Sequence, residues 1–438
     1  MLQAYYSTIP PSPPTELSGA YTVIGILLAA GRGKRLAPLT ETRPKILLPV
    51  AGKPVVYRPL LLLKRLGVSR VIAVVHYMKD MAVDYIKRLS EELYMDVDFV
   101  DQGGELGTGD AVRKAIDRGL DDAVVIYGDL YIDVETVSQS LSRAVGKGLN
   151  IVTGVYVDDV SSYGSVVVSG DRVVDLVEKP AGGGGGIANA GIYILRSRVL
   201  ELASEIGLSP RGEYEFTDII RLGRARGHDF SLVAIEPGSW RDVGYPWDLL
   251  EVNKIELSKL RERVIKGDVQ PSATVKGPVI IEEGATVKGC TYIVGPAYIG
   301  REASIGPNSY IRPYTTIMEN TTIGFSVEVK ESIVMENTHA AHLTYIGDSI
   351  VAENINLGAG TLIANLRLDE KTVKLTIEGR RIDSRRRKMG AVIGGYTKTG
   401  VNVSIMPGVK IGSHSIIYPN VVVYRDVPPK TTVKENWI

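Results

Sequence analysis

From Val275 to Met335, every sixth residue is aliphatic or methionine: Val275, Ile281, Val287, Ile293, Ile299, Ile305, Ile311, Ile317, Ile323, Val329 and Met335. Such residues fill about a third of an ordinary chain, so an unbroken run of this length is not chance. A period of six matches neither the 3.6 of a helix nor the 2 of a strand. It matches a triangular coil of three short strands, in which each sixth side chain points inward. The register fails at Ala341. It resumes at Tyr345, Val351, Leu357 and Ile363, and again at Ile393, Thr399, Ile405, Ile411, Ile417 and Val423. The charged stretch 366–390 lies between these runs and must loop out of the coil. Residues 265–427 therefore read as a left-handed parallel β-helix of hexapeptide repeats, with 428–438 as a tail. Loops that leave a regular scaffold are common places for a site, although a tolerated insertion would look the same.

The first half has a different rhythm. TVIGILLAA (22–30) is an apolar run closed by Gly31, as expected of a strand buried on both faces. VIAVV (71–75), VDFVD (97–101) and AVVIY (123–127) are further strands. Helical patterns at 56–66, 80–93 and 109–120 separate them. This alternation predicts a doubly wound, Rossmann-like α/β domain over 21–246, with ligands at the carboxyl ends of its strands. WDLLEVNKIELSKLRERV (247–264) reads as one linker helix.

Composition excludes several classes. Lys+Arg is 51 against 50 Asp+Glu, without the basic surplus of a nucleic-acid coat or an acidic-membrane binder. The single cysteine, Cys290, excludes an intramolecular disulfide framework and is expected to be a small buried hydrophobe. No Cys/His spacing suits zinc. Residues 1–20 lack a basic start and an apolar core, and carry Pro10, Pro11, Pro13 and Pro14. They read as a flexible extension or a misassigned start rather than a signal peptide. No window reaches the ~18 apolar residues of a membrane span, so the cytoplasm is the default expectation.

LLAAGRGKRLAPLTETRPKILLPVAGKP (27–54) follows the first strand. Its glycines allow backbone N–H groups to approach a phosphate. It is neither a P-loop nor a dinucleotide fingerprint, since Leu36 stands where a third glycine would be. Arg35 and Lys45 add two cations suited to a triphosphate. The stretch resembles the signature of the sugar-phosphate nucleotidylyltransferases, departing at Lys34, where Thr or Ser is usual. Further motifs of that family follow in order. The resemblance implies nucleotide contacts at Leu28, Ala29, Ala30 and Gly31. In QGGELGTGDA (102–111) it puts Gln102 on the base edge, with Gly107 and Thr108 beneath. It implies sugar and phosphate contacts at Gly164, Glu178, Lys179 and Asn189. Asp129 in YGDL and Asp242 in WRDVG are implied to hold Mg²⁺, and two carboxylates at strand ends are hard-oxygen ligands of the right kind.

The segment AHLTYIGD (341–348), where the hexad register fails, resembles the acetyltransferase site of the bifunctional bacterial enzymes that make UDP-N-acetylglucosamine. That resemblance implies an amino-sugar 1-phosphate held by Arg312, Lys330, Tyr345, Asn356 and Lys371. It implies His342 as the base, and Ala359, Asn365 and Gly395 toward acetyl-CoA. Gly395 stands where the bacterial enzymes have Ser. Arg385, Arg386, Arg387 and Lys388 read either as coenzyme phosphate contacts or as solvated loop charges. The stretch 388–412 is similar to archaeal members.

The implied reactions are in-line nucleotidyl transfer from UTP or dTTP to a sugar 1-phosphate, and acetyl transfer from acetyl-CoA to glucosamine 1-phosphate. Arg35, Lys45 and Mg²⁺ would meet the charge in the first, and no general base is required there because the attacking phosphate is already ionised. A near-neutral base is useful in the second, because an amine attacks only when unprotonated. β-Helices of this type usually form homotrimers, by the same resemblance. Two alternatives stay open: a nucleotidylyltransferase with a merely structural trimerising β-helix, and a non-catalytic regulatory subunit.

Overall fold

The computed structural model describes residues 23–119, 121–142, 148–180 and 182–437. The N-terminal extension expected over 1–20 lies outside them. The chain divides into two compact units. One comprises Met1–Gly31 and Val56–Asp242; the other comprises Arg32–Val55 and Val243–Ile438. The division does not follow the expected linear boundary, because a piece of the early chain groups with the late one.

The first unit is built on nine strands among the described residues: β1 Val23–Ala29, β2 Arg70–Val75, β3 Asp96–Asp101, β4 Asp122–Tyr127, β5 Asn150–Val157, β6 Gly164–Ser169, β7 Arg172–Glu178, β8 Gly186–Leu195 and β9 Phe230–Ile235. Their order is β3-β2-β1-β4-β8-β5-β9-β7-β6. The first four run parallel, as the strand–helix alternation predicts. Strand β8 then runs antiparallel to both β4 and β5, so the sheet is mixed. Apolar runs such as VIGILLA supply both faces of the central strands, and Ile26, Leu27, Val124 and Val125 are fully buried. The chain steps outward from β1 to β3 and returns beside β1 as β4. The reversal puts the carboxyl ends of β1 and β4 at a switch point, where open α/β sheets take ligands.

The second unit is the β-helix. Three parallel sheets of eight, nine and eight strands run along it among the described residues. Each coil places one inward aliphatic side chain on each sheet, and Ile293, Ile299, Ile305, Ile311, Ile317 and Ile323 are all fully buried. At the corners, hydroxyls bond carbonyls of the next coil: Thr321 to Met335 (3.0 Å) and Thr338 to Ala352 (2.8 Å). Buried corner carbonyls are thereby satisfied without helix or sheet partners.

The register break is not where the hexad count puts it. Ile317 pairs with Val334, Ile323 with Ala340 and Val329 with Ile346. The inward series therefore runs Val329, Val334, Ala340, Ile346, Val351. One residue is missing at the corner after Val329 and another at the same corner after Ile346. Tyr345, expected inward, is instead partly exposed, while Ile346 is buried. At this corner one coil later, the 366–390 segment leaves the prism, and Ile363 and Ile393 become successive inward positions. The segment carries a hairpin of Lys374–Ile377 with Arg380–Asp383.

Three other expectations are corrected. Cys290 is exposed, because it occupies a corner with φ of 58°. The helix expected over 247–264 is Pro246–Ser258, and Val264–Ile265 already pairs as a strand. Coiling continues past Val427, since Thr432–Val433 pairs with Ile416–Ile417 and Trp437 bridges to Val423.

Truncating an inward position leaves a cavity that a prism cannot close. Ile323→Ala should cost about 2–5 kcal/mol. Thr322→Ala, on the outer face, should cost under about 1 kcal/mol. Urea unfolding followed on the β-helix should separate the two.

Candidate active sites

In the first unit, the switch point gathers the expected nucleotide residues. Leu28 lies one residue before the end of β1, and its carbonyl accepts the N–H of Gly128 (2.8 Å), beside Asp129 just past the end of β4. The short strand Leu130–Ile132 pairs antiparallel with Trp240–Asp242, Asp242 opposite Leu130. The ladder thus sets Asp242 opposite the residue that follows Asp129, although the two aspartates are far apart in sequence. Among the described residues no group of three or more His, Cys, Asp or Glu side chains could hold a metal. Two carboxylates still fit Mg²⁺, which binds through one or two of them and completes its shell with phosphates and water.

Gln102 is buried, and its amide donates to the Gly107 carbonyl (2.8 Å) and to Asp110 (3.2 Å). Gly107 has φ of 97°, and a Cβ there would lie 2.6 Å from the Tyr214 carbonyl. Tyr214 accepts the N–H of Gly109 (2.7 Å), and Thr108 Oγ1 accepts that of Phe216 (3.1 Å). The segment read as base-recognising is thereby stitched to 214–216, which sequence reasoning did not single out.

Gly164 pairs opposite Glu178 across β6 and β7. A side chain at Gly164 would come within 3.0 Å of Glu178 Oε2 and 3.5 Å of Asn189 Cβ, so glycine lets these two approach each other. Asn189 is oriented by donating to Tyr193 (2.6 Å) and by accepting from the Gly191 N–H (3.1 Å). Burial pushes the Glu178 carboxyl above its ordinary value, as does the nearby charge of Glu215. Arg211, 3.5 Å away, only partly offsets them. Lys179 is exposed with φ of 44°, and its N–H bonds the Tyr163 carbonyl (3.0 Å).

The remaining signature cations belong to the second unit. Gly33 has φ of 73°, and a Cβ there would strike Lys45 Cβ at 2.8 Å. Arg35 lies over the Tyr245 ring (4.8 Å), which stacks on Trp247 at 4.6 Å.

On the β-helix, the shortened corner assembles a polar cluster. Lys330 donates to Asp348 (2.8 Å), and Asn365 donates to Asp348 (2.5 Å) and to the Tyr345 hydroxyl (3.1 Å). Gly347 makes this possible, since a Cβ there would sit 2.5 Å from the Tyr345 oxygen and 2.7 Å from Asn365. Burial, then the charges of Asp348 and Glu328, push the Tyr345 hydroxyl up. Arg312 pairs with Glu328 (2.9 Å). Arg386 reaches Glu331 (2.5 Å), Asp348 (3.6 Å) and Glu251 (3.5 Å). It is therefore a mostly buried member of the cluster rather than a solvated loop charge. Burial would raise Glu331, but the Arg386 hydrogen bond and charge outweigh it and hold the carboxyl below its ordinary value. Asp348, almost wholly buried, is the anion around which the corner is organised. Sequence reasoning quoted its segment without marking it; the missing hexad residue beside it was the available signal.

His342 is exposed at the end of His339–His342, opposite Phe325. Its carbonyl accepts the N–H of Gly360 (3.3 Å), which ties it to the turn holding Ala359. Asn356 is exposed on the same sheet, opposite His339. Lys371 lies apart, in a cleft of about 520 Å³ with Arg367, Asp369, Thr372, Lys374 and Asp383. Arg387 pairs with Glu370 at the surface. Gly395 is not gathered with His342. A Cβ there would meet Glu353 at 2.7 Å and Thr42 at 2.8 Å, which accounts for glycine in place of serine.

A nucleotidyl transferase family model matches residues 24–259. A model described as the GMPPB C-terminal domain matches 293–386, and the bacterial transferase hexapeptide model, six repeats, matches 390–425. A bifunctional sugar-1-phosphate nucleotidylyltransferase/acetyltransferase of Sulfurisphaera tokodaii is 44% identical over 403 residues, covering 92% of this chain and 97% of the relative. The bifunctional protein GlmU of Methanocaldococcus jannaschii is 41% identical over 413 residues, covering 93% and 96%. A glucose-1-phosphate thymidylyltransferase of Streptomyces antibioticus is 32% identical over 320 residues, covering 70% and 88%.

Removing the anion of the corner cluster strands its cations. Asp348→Ala should destabilise the β-helix by about 3–5 kcal/mol. Asp348→Glu should recover part of this loss. Chemical denaturation of the two variants beside the parent checks it.

Proposed function

The chain belongs to the family of bifunctional sugar-1-phosphate nucleotidylyltransferases/acetyltransferases, and we propose that it N-acetylates glucosamine 1-phosphate and then couples the product to UTP. The observation that carries the second activity is the corner cluster of Lys330, Asp348, Asn365 and Tyr345, with Arg312 beside it. Two cations, an amide and a phenol converging on one corner are the kind of donors that a phosphate site uses.

In acetyl transfer, His342 takes the proton of the attacking amine as it adds to the thioester carbonyl. The Ala359 N–H faces the oxyanion that develops, and the coenzyme thiolate leaves. Arg312, Lys330, Tyr345 and Asn356 hold the sugar phosphate, while Asn365 lies toward acetyl-CoA.

In nucleotidyl transfer, a phosphate oxygen of the sugar 1-phosphate attacks the α-phosphorus and pyrophosphate leaves. Leu28–Gly31 cradle the nucleotide, and Gln102, Gly107 and Thr108 read its base. Gly164, Glu178, Lys179 and Asn189 receive the sugar phosphate. Arg35 and Lys45 meet the charge that spreads over the transferring group. Asp129 and Asp242 would hold Mg²⁺, which when bound supplies further charge neutralisation. The thymidylyltransferase relative supports dTTP as a second nucleotide.

The protein works as a homotrimer in the cytoplasm on this reading. Exposed Phe325, Leu343, Leu362 and Ile416 give the prism apolar outer surface suited to self-association. No helix among the described residues is long and apolar enough to cross a membrane.

His342→Ala should abolish thiol release from acetyl-CoA with glucosamine 1-phosphate while leaving pyrophosphate release from UTP and N-acetylglucosamine 1-phosphate intact. Asp129→Ala should do the reverse, and equal loss of both activities in either variant would sink the division of labour.

Nucleotidyl transfer should also carry an acid limb set by Glu178. A raised carboxyl remains neutral to higher pH, so a contact that needs the carboxylate strengthens as pH rises through a midpoint above the ordinary 4.5. The kcat/KM for the sugar phosphate should rise with pH over that range in the parent, and Glu178→Gln should flatten the limb.

A further inference from the structure

We propose that the β-helix is a working part of the nucleotide-transfer machinery, with Arg43, Glu336 and Glu353 acting as positioning residues for the signature loop. The inference rests on the functional reading of Arg35 and Lys45 given above. It adds a role for coils that the acetyl-transfer reading does not use.

The loop Arg32–Val55 lies within the nucleotidyl transferase match, yet it packs as part of the β-helix unit. Arg43, two residues before Lys45, is 7% exposed. Its guanidinium bonds Glu336 and lies 3.1 Å from Glu353, both at corners of successive coils. Other contacts fix the loop on either side. The Glu41 carboxylate accepts the Ser413 N–H (2.7 Å), and Lys410 donates to the Ala37 carbonyl (3.4 Å). Burial lowers the pKa of Lys410, so this ammonium too is largely withdrawn from water. Gly394 and Gly395 leave room for Pro38 and Thr42, and a Cβ at either would come within 3.0 Å of the loop. Further on, the Ala51 N–H donates to Asn253 Oδ1 (2.9 Å), which also accepts from Thr316 (2.7 Å). Gly52 packs on the Tyr298 ring, which a Cβ would penetrate.

A loop that only had to cover apolar surface would not bury an arginine between two carboxylates, because desolvating three charges is costly. Such a cluster fixes geometry, since a planar guanidinium accepts its partners only in a narrow range of directions. Geometry is what Arg35 and Lys45 need. In-line transfer stabilised by positioned cations loses about 10²-fold for a misplacement of about 1 Å.

The test uses the full chain. The variant Arg43→Met/Glu336→Gln/Glu353→Gln removes all three charges together. Glu336→Gln alone and Arg43→Lys are milder changes. Pyrophosphate release, thiol release and amide hydrogen exchange over residues 32–55 are measured in each. The triple variant should lose about tenfold or more in kcat for pyrophosphate release, with KM for UTP moving less than about threefold. Thiol release should stay within about twofold, and protection over 32–55 should fall. Arg43→Lys should fall between the parent and the triple variant. Pyrophosphate release in the triple variant within twofold of the parent, or proportionate loss of both activities, overturns the proposal. If the parent releases no pyrophosphate, the functional reading fails by itself. Hydrogen exchange then still reads the clamp, and unchanged protection over 32–55 overturns it.

Discussion

Each coil of the prism must return to the same three inward positions, and the rest of the second unit depends on that closure. An inward side chain stacks on the one beneath it, so a residue gained or lost must be absorbed at a corner. Here one corner absorbs the irregularities of the central coils: a residue missing after Val329, another after Ile346, and the long excursion after Ile363. The walls stay regular because the corner does not. Corners are where a left-handed backbone brings polar groups to the surface. Glu331 and Asp348 take φ of 43° and 49° at the two shortened turns. A tighter turn draws Lys330 and Asp348 together, and the excursion returns Arg386 to the same place. The polar cluster thus follows from the way the coil loses register.

The cluster also shows how charge is arranged where water is scarce. Asp348 alone would be an isolated buried carboxylate, which a protein interior does not tolerate as an anion. Lys330, Asn365 and Arg386 make it acceptable, and it holds them in turn. A phosphate entering such a corner meets cations whose directions are already set. Its binding then costs less reorganisation than with lysines free in solvent. The first unit reaches the same end differently, because its acidic pair is placed by an antiparallel ladder and its Glu178 by a glycine opposite.

Most of the architecture was legible in the sequence, because both units rest on strong periodicities. The apolar runs of β1, β2 and β4 could be read without partners, and so could the hexads. The register after Val329 could not. Val334 and Met335 are both apolar, as are Tyr345 and Ile346, so periodicity cannot say which of each pair points inward. The strand pairing decides for Val334 and Ile346. Cys290 misled for a related reason: composition favours burial for cysteine, but its position in the hexad is a corner. The functional residues lay at recognisable motif positions, whereas nothing in the motifs marked those that orient them. Asp348, Arg386 and Tyr214 act through contacts across long sequence separations, which no local pattern encodes.

Arg43 lies at the limit of such reading. In the sequence it is one arginine in a loop already rich in cations, and Arg35 and Lys45 account for the chemistry expected of that loop. Only the fold distinguishes it, by withdrawing it from water between two corner carboxylates. Buried charge is expensive in a way that exposed charge is not, so its retention calls for a cause local to the place where it sits. That place joins the loop to the coils. The β-helix therefore carries two kinds of corner. One loosens its register around a cluster of cations and an amide; the other keeps register and grips the loop Arg32–Val55.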